Sequence, residues 1–280
     1  MIIYVKETQK TFFSRFKALK IENREKKNII YLPIANQNVN KTNLKKLNKF
    51  IYDNRIKYVV LEKNLMQNEE LKNNLYSNNI QILDGTRLSR FLLCTIIQKV
   101  YDYKNKKIES GEITLLIHEK NEINLENIKK IAQKVKRLNI ITDNLNKFKK
   151  IRDYLYEELG ILIKISSNIK FNLESTDVIA NIDFSEKEIN NLRIPTNAII
   201  VSMIKNINIT SKRFAGVNIR DWKLNIPKEY KLEGFSDNSI YEAHLLNQTN
   251  KKIFEAVMND NITINEFIGM NGIINRNEFV

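Results

Sequence analysis

Three prolines, seven glycines, two histidines, one tryptophan and one cysteine are all that 280 residues hold of these types. Each scarcity excludes something. With so little Pro and Gly, long disordered linkers are not expected, and 42% hydrophobic content is enough to build a core. The length suits one large domain or two ordinary ones. The single cysteine, Cys94, cannot make an internal disulfide, which points to a reducing compartment. It lies in the apolar run Phe91-Leu92-Leu93-Cys94-Thr95-Ile96-Ile97, so a buried, inert thiol is expected rather than a nucleophile. That run is too short to cross a bilayer, and no membrane partner is expected. Met1-Ile2-Ile3-Tyr4-Val5-Lys6 has no basic stretch before its apolar residues and no small-residue cleavage site. It reads as a strand rather than a signal peptide, and a cytoplasmic protein is expected. His118, His244 and Cys94 are too far apart in sequence to offer metal-ligand spacing, so no metal site is expected. There is no Gly-x-Ser-x-Gly elbow, Walker A loop or His-Glu-x-x-His helix, and no catalytic residue is assigned.

What the chain has in excess is positive charge, +14 at pH 7. Residues 1–100 carry 19 Lys/Arg against 8 Asp/Glu, so most of the surplus is N-terminal. Such charge favours acidic surfaces or nucleic acid through counterion release. Lys outnumbers Arg, however, and Arg is the residue of bidentate recognition. A chain crowded with Lys, Asn and Ile is also what AT-rich coding DNA produces, and that compositional account is the simpler one.

The pattern of apolar residues predicts alternating strands and helices. In the first part, strands are expected at 2–5, 29–33, 58–61 and 80–83, with helices at 41–54 and 68–78. In the first helix Leu44, Leu47, Phe50 and Ile51 recur at three- and four-residue spacing, with lysines opposite. Asp84-Gly85-Thr86-Arg87 follows the last strand, with Thr86 as N-cap of a long helix over 87–104. A domain boundary is expected near Gly111. The second part reads as strands at 113–117, 138–142, 161–165, 178–182 and 198–203. Helices at 124–137, 145–159 and 186–191 lie between them, the second closed by Gly160. Residues 214–219 offer a sixth strand, and 238–249, 251–258 and 264–270 read as helical.

The expected fold is therefore α/β. An N-terminal small parallel α/β domain with a long connecting helix (1–108) precedes a Rossmann-like, doubly wound domain (109–235) and a C-terminal helical segment (236–280).

The second part resembles the nucleotide-binding domain of the shikimate dehydrogenase and glutamyl-tRNA reductase group, over about 100 residues from Ile113 to about Met203. Two local features carry the resemblance beyond element order. In Ile140-Ile141-Thr142-Asp143 the acidic residue ends the second strand, where the family binds the adenosine ribose. Asp177-Val178-Ile179-Ala180-Asn181-Ile182-Asp183 looks like the family's strand ending in an Asn-bearing turn near the nicotinamide. The resemblance implies NAD or NADP, with His118, Asp143, Asn181 and Asp183 as the cofactor-binding positions. The layout is also similar to an uncharacterised family of low-GC Gram-positive bacteria, which implies no activity. The departure lies in the first turn. The family has Gly-x-Gly-x-x-Gly/Ala there, whereas this chain has His118-Glu119-Lys120-Asn121-Glu122-Ile123, with two carboxylates and no glycine. A pyrophosphate would meet side-chain bulk and repulsion where it needs bare amides.

Gly85, Thr86 and Arg87 form a second candidate, an anion-binding turn at a helix N-terminus. Three readings stay open. The preferred one is a Rossmann-like protein whose dinucleotide site is lost or remodelled, with a structural, regulatory or interaction role. The others are an NAD(P)-dependent oxidoreductase of the shikimate dehydrogenase-like group, and a nucleic-acid binder using the basic N-terminal half. Small-molecule and protein partners both remain open.

Overall fold

A computed structural model describes residues 1–8, 20–24, 27–35, 38–167, 173, 175–204, 207–248 and 262–279. The expected helix at 251–258 lies outside the described residues. The chain forms two compact units, Met1–Leu88 with Ile226–Asn261, and Ser89–Asn225 with Ile262–Val280. The expected division was 1–108, 109–235 and 236–280; here 89–108 and 262–280 group with the second unit and 226–261 with the first.

The first unit opens with β1 (Ile2–Glu7), β2 (Lys20–Arg24) and β3 (Lys27–Leu32), then the two-residue strands β4 (Ile34–Ala35) and β5 (Asn38–Val39). There follow α1 (Lys41–Asp53), β6 (Tyr58–Leu61), α2 (Glu69–Ser77) and β7 (Gln81–Ile82). Its five-stranded sheet runs β2-β3-β1-β6-β7. The four expected strands are mutually parallel. β2 adds an unexpected antiparallel edge. Lys20-Ile21-Glu22-Asn23-Arg24 holds a single apolar residue, as suits an edge strand that must resist further pairing, so the sequence carries no strand pattern there. α1 buries Leu44, Leu47 and Ile51 against the sheet, and Asn40 caps it by accepting from the Thr42 amide.

The long helix expected after Arg87 is broken at Leu92 into α3 (Thr86–Phe91) and α4 (Leu93–Tyr103). The division between units falls inside α3. α4 buries Leu93, Ile96, Ile97, Val100 and Tyr101, which draws it into the second unit.

That unit continues with β8 (Glu112–Leu116), α5 (Glu122–Ala132), β9 (Arg137–Ile141), α6 (Leu145–Leu159) and β10 (Ile163–Ser166). Next come β11 (Val178–Asn181), α7 (Glu186–Asn190), β12 (Ile199–Ser202), β13 (Val217–Ile219) and β14 (Asp221–Asn225). α8 (Asp237–Gln248) belongs to the first unit, where Ile240 and Ala243 pack with Tyr4, Val60 and Leu83. β15 (Thr263–Gly269) and β16 (Gly272–Ile274) return to the second.

The large sheet of the second unit is parallel throughout, in the order β10-β9-β8-β11-β12-β13. Counted along the chain this is 3-2-1-4-5-6, the doubly wound Rossmann order, whose switch point lies between β8 and β11. β11 and β12 are buried at every residue, as a sheet covered on both faces requires. Gly160 closes α6 at φ 66°, a left-handed conformation that glycine adopts without strain.

One expectation is overturned here. Residues 264–270, read as helical, form strand β15, which pairs antiparallel with β14 and β16. The register slips at Lys223/Leu224, where Asn265 bulges out. Ile264 and Phe267, three residues apart, therefore both face inward. A β-bulge counterfeits the helical period.

Candidate functional site

The carboxyl ends of β8, β9 and β11 bring three of the four family-implied positions together. His118 follows β8. Its Nδ1 lies 2.8 Å from Asp143 Oδ1, beyond β9, and its Nε2 lies 3.0 Å from Glu188 Oε1 on α7. Phe184 stacks under the ring, with centroids 4.1 Å apart and planes 2° from parallel. Each ring nitrogen thus faces a carboxylate oxygen within hydrogen-bonding distance. The Asp143 amide also lies 3.4 Å from Nδ1 and donates to it.

Asp183 occupies the switch point. Its Oδ1 accepts from the His118 amide and its Oδ2 from the Glu119 amide, each at 2.7 Å. These donors begin the turn that in the resembled family faces the dinucleotide phosphates. The N-terminus of α5 is closed as well. The Asn121 side chain accepts from the Asn124 amide at 2.9 Å, and the Asn124 side chain donates to Glu119 O at 2.8 Å. Lys147 Nζ donates to His118 O at 3.4 Å, tying α6 to the same turn.

Asn181 is not part of that surface. It is fully buried, its amide nitrogen donating to Phe184 O at 3.0 Å and its carbonyl accepting from Phe184 N at 2.9 Å. It staples the 181–184 turn and so aims Asp183 and Phe184 at residue 118.

Glu188, Phe184 and Ser185 were not singled out from the sequence. The readable signal was Ser185-x-x-Glu188, a capping box, and both of its hydrogen bonds are present. The Ser185 hydroxyl, donating to Glu188 Oε2 at 2.6 Å, holds the Glu188 carboxyl below the usual range; the Ser185 amide and His118 act in the same direction.

The first unit treats its own strand ends alike. Thr86 is the first helical residue of α3 rather than its cap; its amide donates to Asp84 Oδ1 at 2.9 Å. Gly85, at φ 84°, and Leu88 donate their amides to Glu242 of α8. Glu242 is 1% exposed, and burial pushes its pKa up to about 7, with Asp84 raising it further and Arg87 opposing. The Gly85–Arg87 turn thus faces carboxyl groups of the chain itself, Asp84 on the Thr86 amide and Glu242 on the Gly85 and Leu88 amides. At the order reversal between β1 and β6, Glu62 Oε2 accepts from the Glu7 amide at 2.7 Å, with Lys6 Nζ 3.9 Å from Oε1. Burial pushes the Glu62 carboxyl up despite those partners.

His244 packs its ring against Tyr230, centroids 3.8 Å apart. Cys94 is buried, and burial pushes its thiol up. Among the described residues no group of three His, Cys, Asp or Glu could hold a metal ion, and no helix is long and apolar enough to cross a membrane.

No protein-family model matches the chain, and no curated protein matches it. It is similar to solved structures at low identity. D-mandelate dehydrogenase from Rhodotorula graminis is 10% identical with a TM-score of 0.41, over 89% of this chain and 93% of that one. L-tryptophan dehydrogenase from Nostoc punctiforme is 12% identical with a TM-score of 0.32, over 67% of this chain and 54% of that one. This chain therefore spans about half of that enzyme's length. Aspartate transcarbamoylase from Trypanosoma cruzi is 9% identical with a TM-score of 0.31, over 77% of each chain. These likenesses give the chain no activity.

Proposed function

We propose that the Rossmann-like unit takes no dinucleotide and serves a structural, regulatory or interaction role, its phosphate turn held shut from within. The observation that carries this reading is the Asp183 carboxylate on the His118 and Glu119 amides. A pyrophosphate at the switch point would have to displace that carboxylate, and would meet Glu119 and Asp143 beside it. Calorimetric titration with NAD, NADP and their reduced forms tests the reading. No heat of binding is expected, and micromolar affinity for any of the four overturns it.

An oxidoreductase reading, with Asp143 on the ribose and Asn181 near a nicotinamide, asks these residues to leave their partners. Asp143 is paired to His118, and Asn181 has no exposed surface to offer. Nicotinamide-dependent turnover of hydroxy or keto acids would restore it. The lone buried Cys94 supports a reducing, cytoplasmic setting for the protein.

A further inference from the structure

α1 presents two unlike faces. Asn43, Leu44, Leu47 and Ile51 are buried, while Lys41, Lys45, Lys46, Lys49 and Tyr52 are exposed, Tyr52 to 84%. At 3.6 residues per turn, Lys41, Lys45, Lys49 and Tyr52 fall within an arc of about 80°. They form one ridge, with lysines about 6 Å apart along the axis and Tyr52 about 16 Å from its start. Charge along this stretch is one-sided. Residues 41–57 contain Lys41, Lys45, Lys46, Lys49, Arg55 and Lys57, against Asp53 as the lone carboxylate. Among the described residues, none of the four α1 lysines is ion-paired.

A row of unpaired ammonium groups calls for a polyanion. The exposed tyrosine narrows the choice, because an unpacked π-face beside a cationic track is a stacking platform for a base. Bases are free to stack on a protein only when unpaired, which favours a single strand over a duplex. A membrane surface fits poorly. An interfacial helix turns its apolar face to the lipid, and the apolar face of α1 is consumed by the core.

We propose that the Lys41–Lys45–Lys49–Tyr52 ridge of α1 binds single-stranded nucleic acid, the lysines taking successive phosphates and Tyr52 stacking a base. The site is independent of the switch point in the other unit, and either proposal can fail alone.

The test is fluorescence anisotropy of the full chain with labelled oligothymidylate and oligouridylate, a matched duplex, and sedimentation with phosphatidylserine vesicles. Single strands should bind best, with affinity falling as salt rises. Each phosphate contact contributes a log–log salt slope of about −0.7, so replacing Lys41, Lys45 and Lys49 together by Ala should reduce the slope by about 2. Tyr52→Ala should weaken binding about fivefold or more at an unchanged salt slope, since stacking is not an ionic contact. Both variants should keep the wild-type circular dichroism, because the altered side chains are exposed. The proposal is overturned by absence of single-strand binding at low salt, by wild-type affinity in both variants, or by preference for the duplex or the vesicles.

Discussion

Replacing Asp183 by Ala is the most direct probe of the closed switch point. The substitution removes the acceptor of two amides, each held at 2.7 Å. A hydrogen bond to a charged group contributes about 1.5–3 kcal/mol when its partner is left unsatisfied in the interior. Asp183 is half-buried, so water can reach part of the vacated space, and the low end applies. Two such bonds give about 3 kcal/mol. With a urea m-value of about 2 kcal/mol/M, the midpoint of unfolding should fall by about 1.5 M. The reporter is built in. Trp222, the single tryptophan, is 4% exposed in β14 of the same unit, so its fluorescence follows this unit. Asp183→Asn keeps one acceptor but turns an N–H group toward an amide, and should recover little of the loss. A midpoint within about 0.3 M of wild type for Asp183→Ala would refute the claim that these amides depend on the carboxylate.

Glu242 should make the first unit's stability fall with rising pH. Its pKa is about 7 folded against an ordinary 4.5, so between those values the folded chain keeps a proton that the unfolded chain has lost. The contribution is present below about pH 4.5 and gone above about 7, on the order of 3 kcal/mol in all. Glu242→Gln should flatten that slope in urea titrations followed by circular dichroism, and an unchanged slope counts against the buried carboxylate as its source. Ser185→Ala should cost about 1 kcal/mol by removing the α7 cap. It should also bring Glu188 closer to its ordinary titration, which carboxyl NMR reads directly. Because the depressed Glu188 pKa adds stability that is lost on acidification, the variant's acid limb should be shallower, and an identical limb refutes the assignment. Gly216→Ala should cost about 1–3 kcal/mol or more, since its Cβ would be driven into the backbone carbonyl of Ala198; wild-type unfolding by Trp222 fluorescence would contradict that packing.

Elements whose pattern is local were legible in the sequence. α6 spans 145–159 as its periodicity implied, and Gly160 ends it in the left-handed conformation. The strands buried on both faces announced themselves as apolar runs. Elements defined by distant partners were not legible. β2 reads as polar because it is an edge, and β15 reads as helix because a bulge resets its register. The candidate site divides along the same line. Strand-end position was enough to pick out His118, Asp143 and Asp183. Their meeting depends on β11 lying beside β8, which is a property of sheet order. Glu188 acts on His118 from 70 residues away and Glu242 reaches Gly85 from α8, distances over which no spacing rule operates.

A doubly wound sheet collects amide donors and helix N-termini at the carboxyl ends of its strands, whatever the sequence asks of it. In a nucleotide-binding protein the ligand's phosphates complete that arrangement. A chain that has no ligand there must still satisfy the donors, because an unmet buried amide costs as much as a lost hydrogen bond. Here carboxylates do so at three separate turns. Asp183 serves the turn after β8, Glu62 the end of β1, and Glu242 the turn after β7. In each case the acceptor comes from the chain itself. An internal carboxylate reaches two amides from one side and needs no bare backbone around it, which suits the glycine-free turn at 118–123. Placing glycines at 118–123 would therefore leave the turn still closed by Asp183.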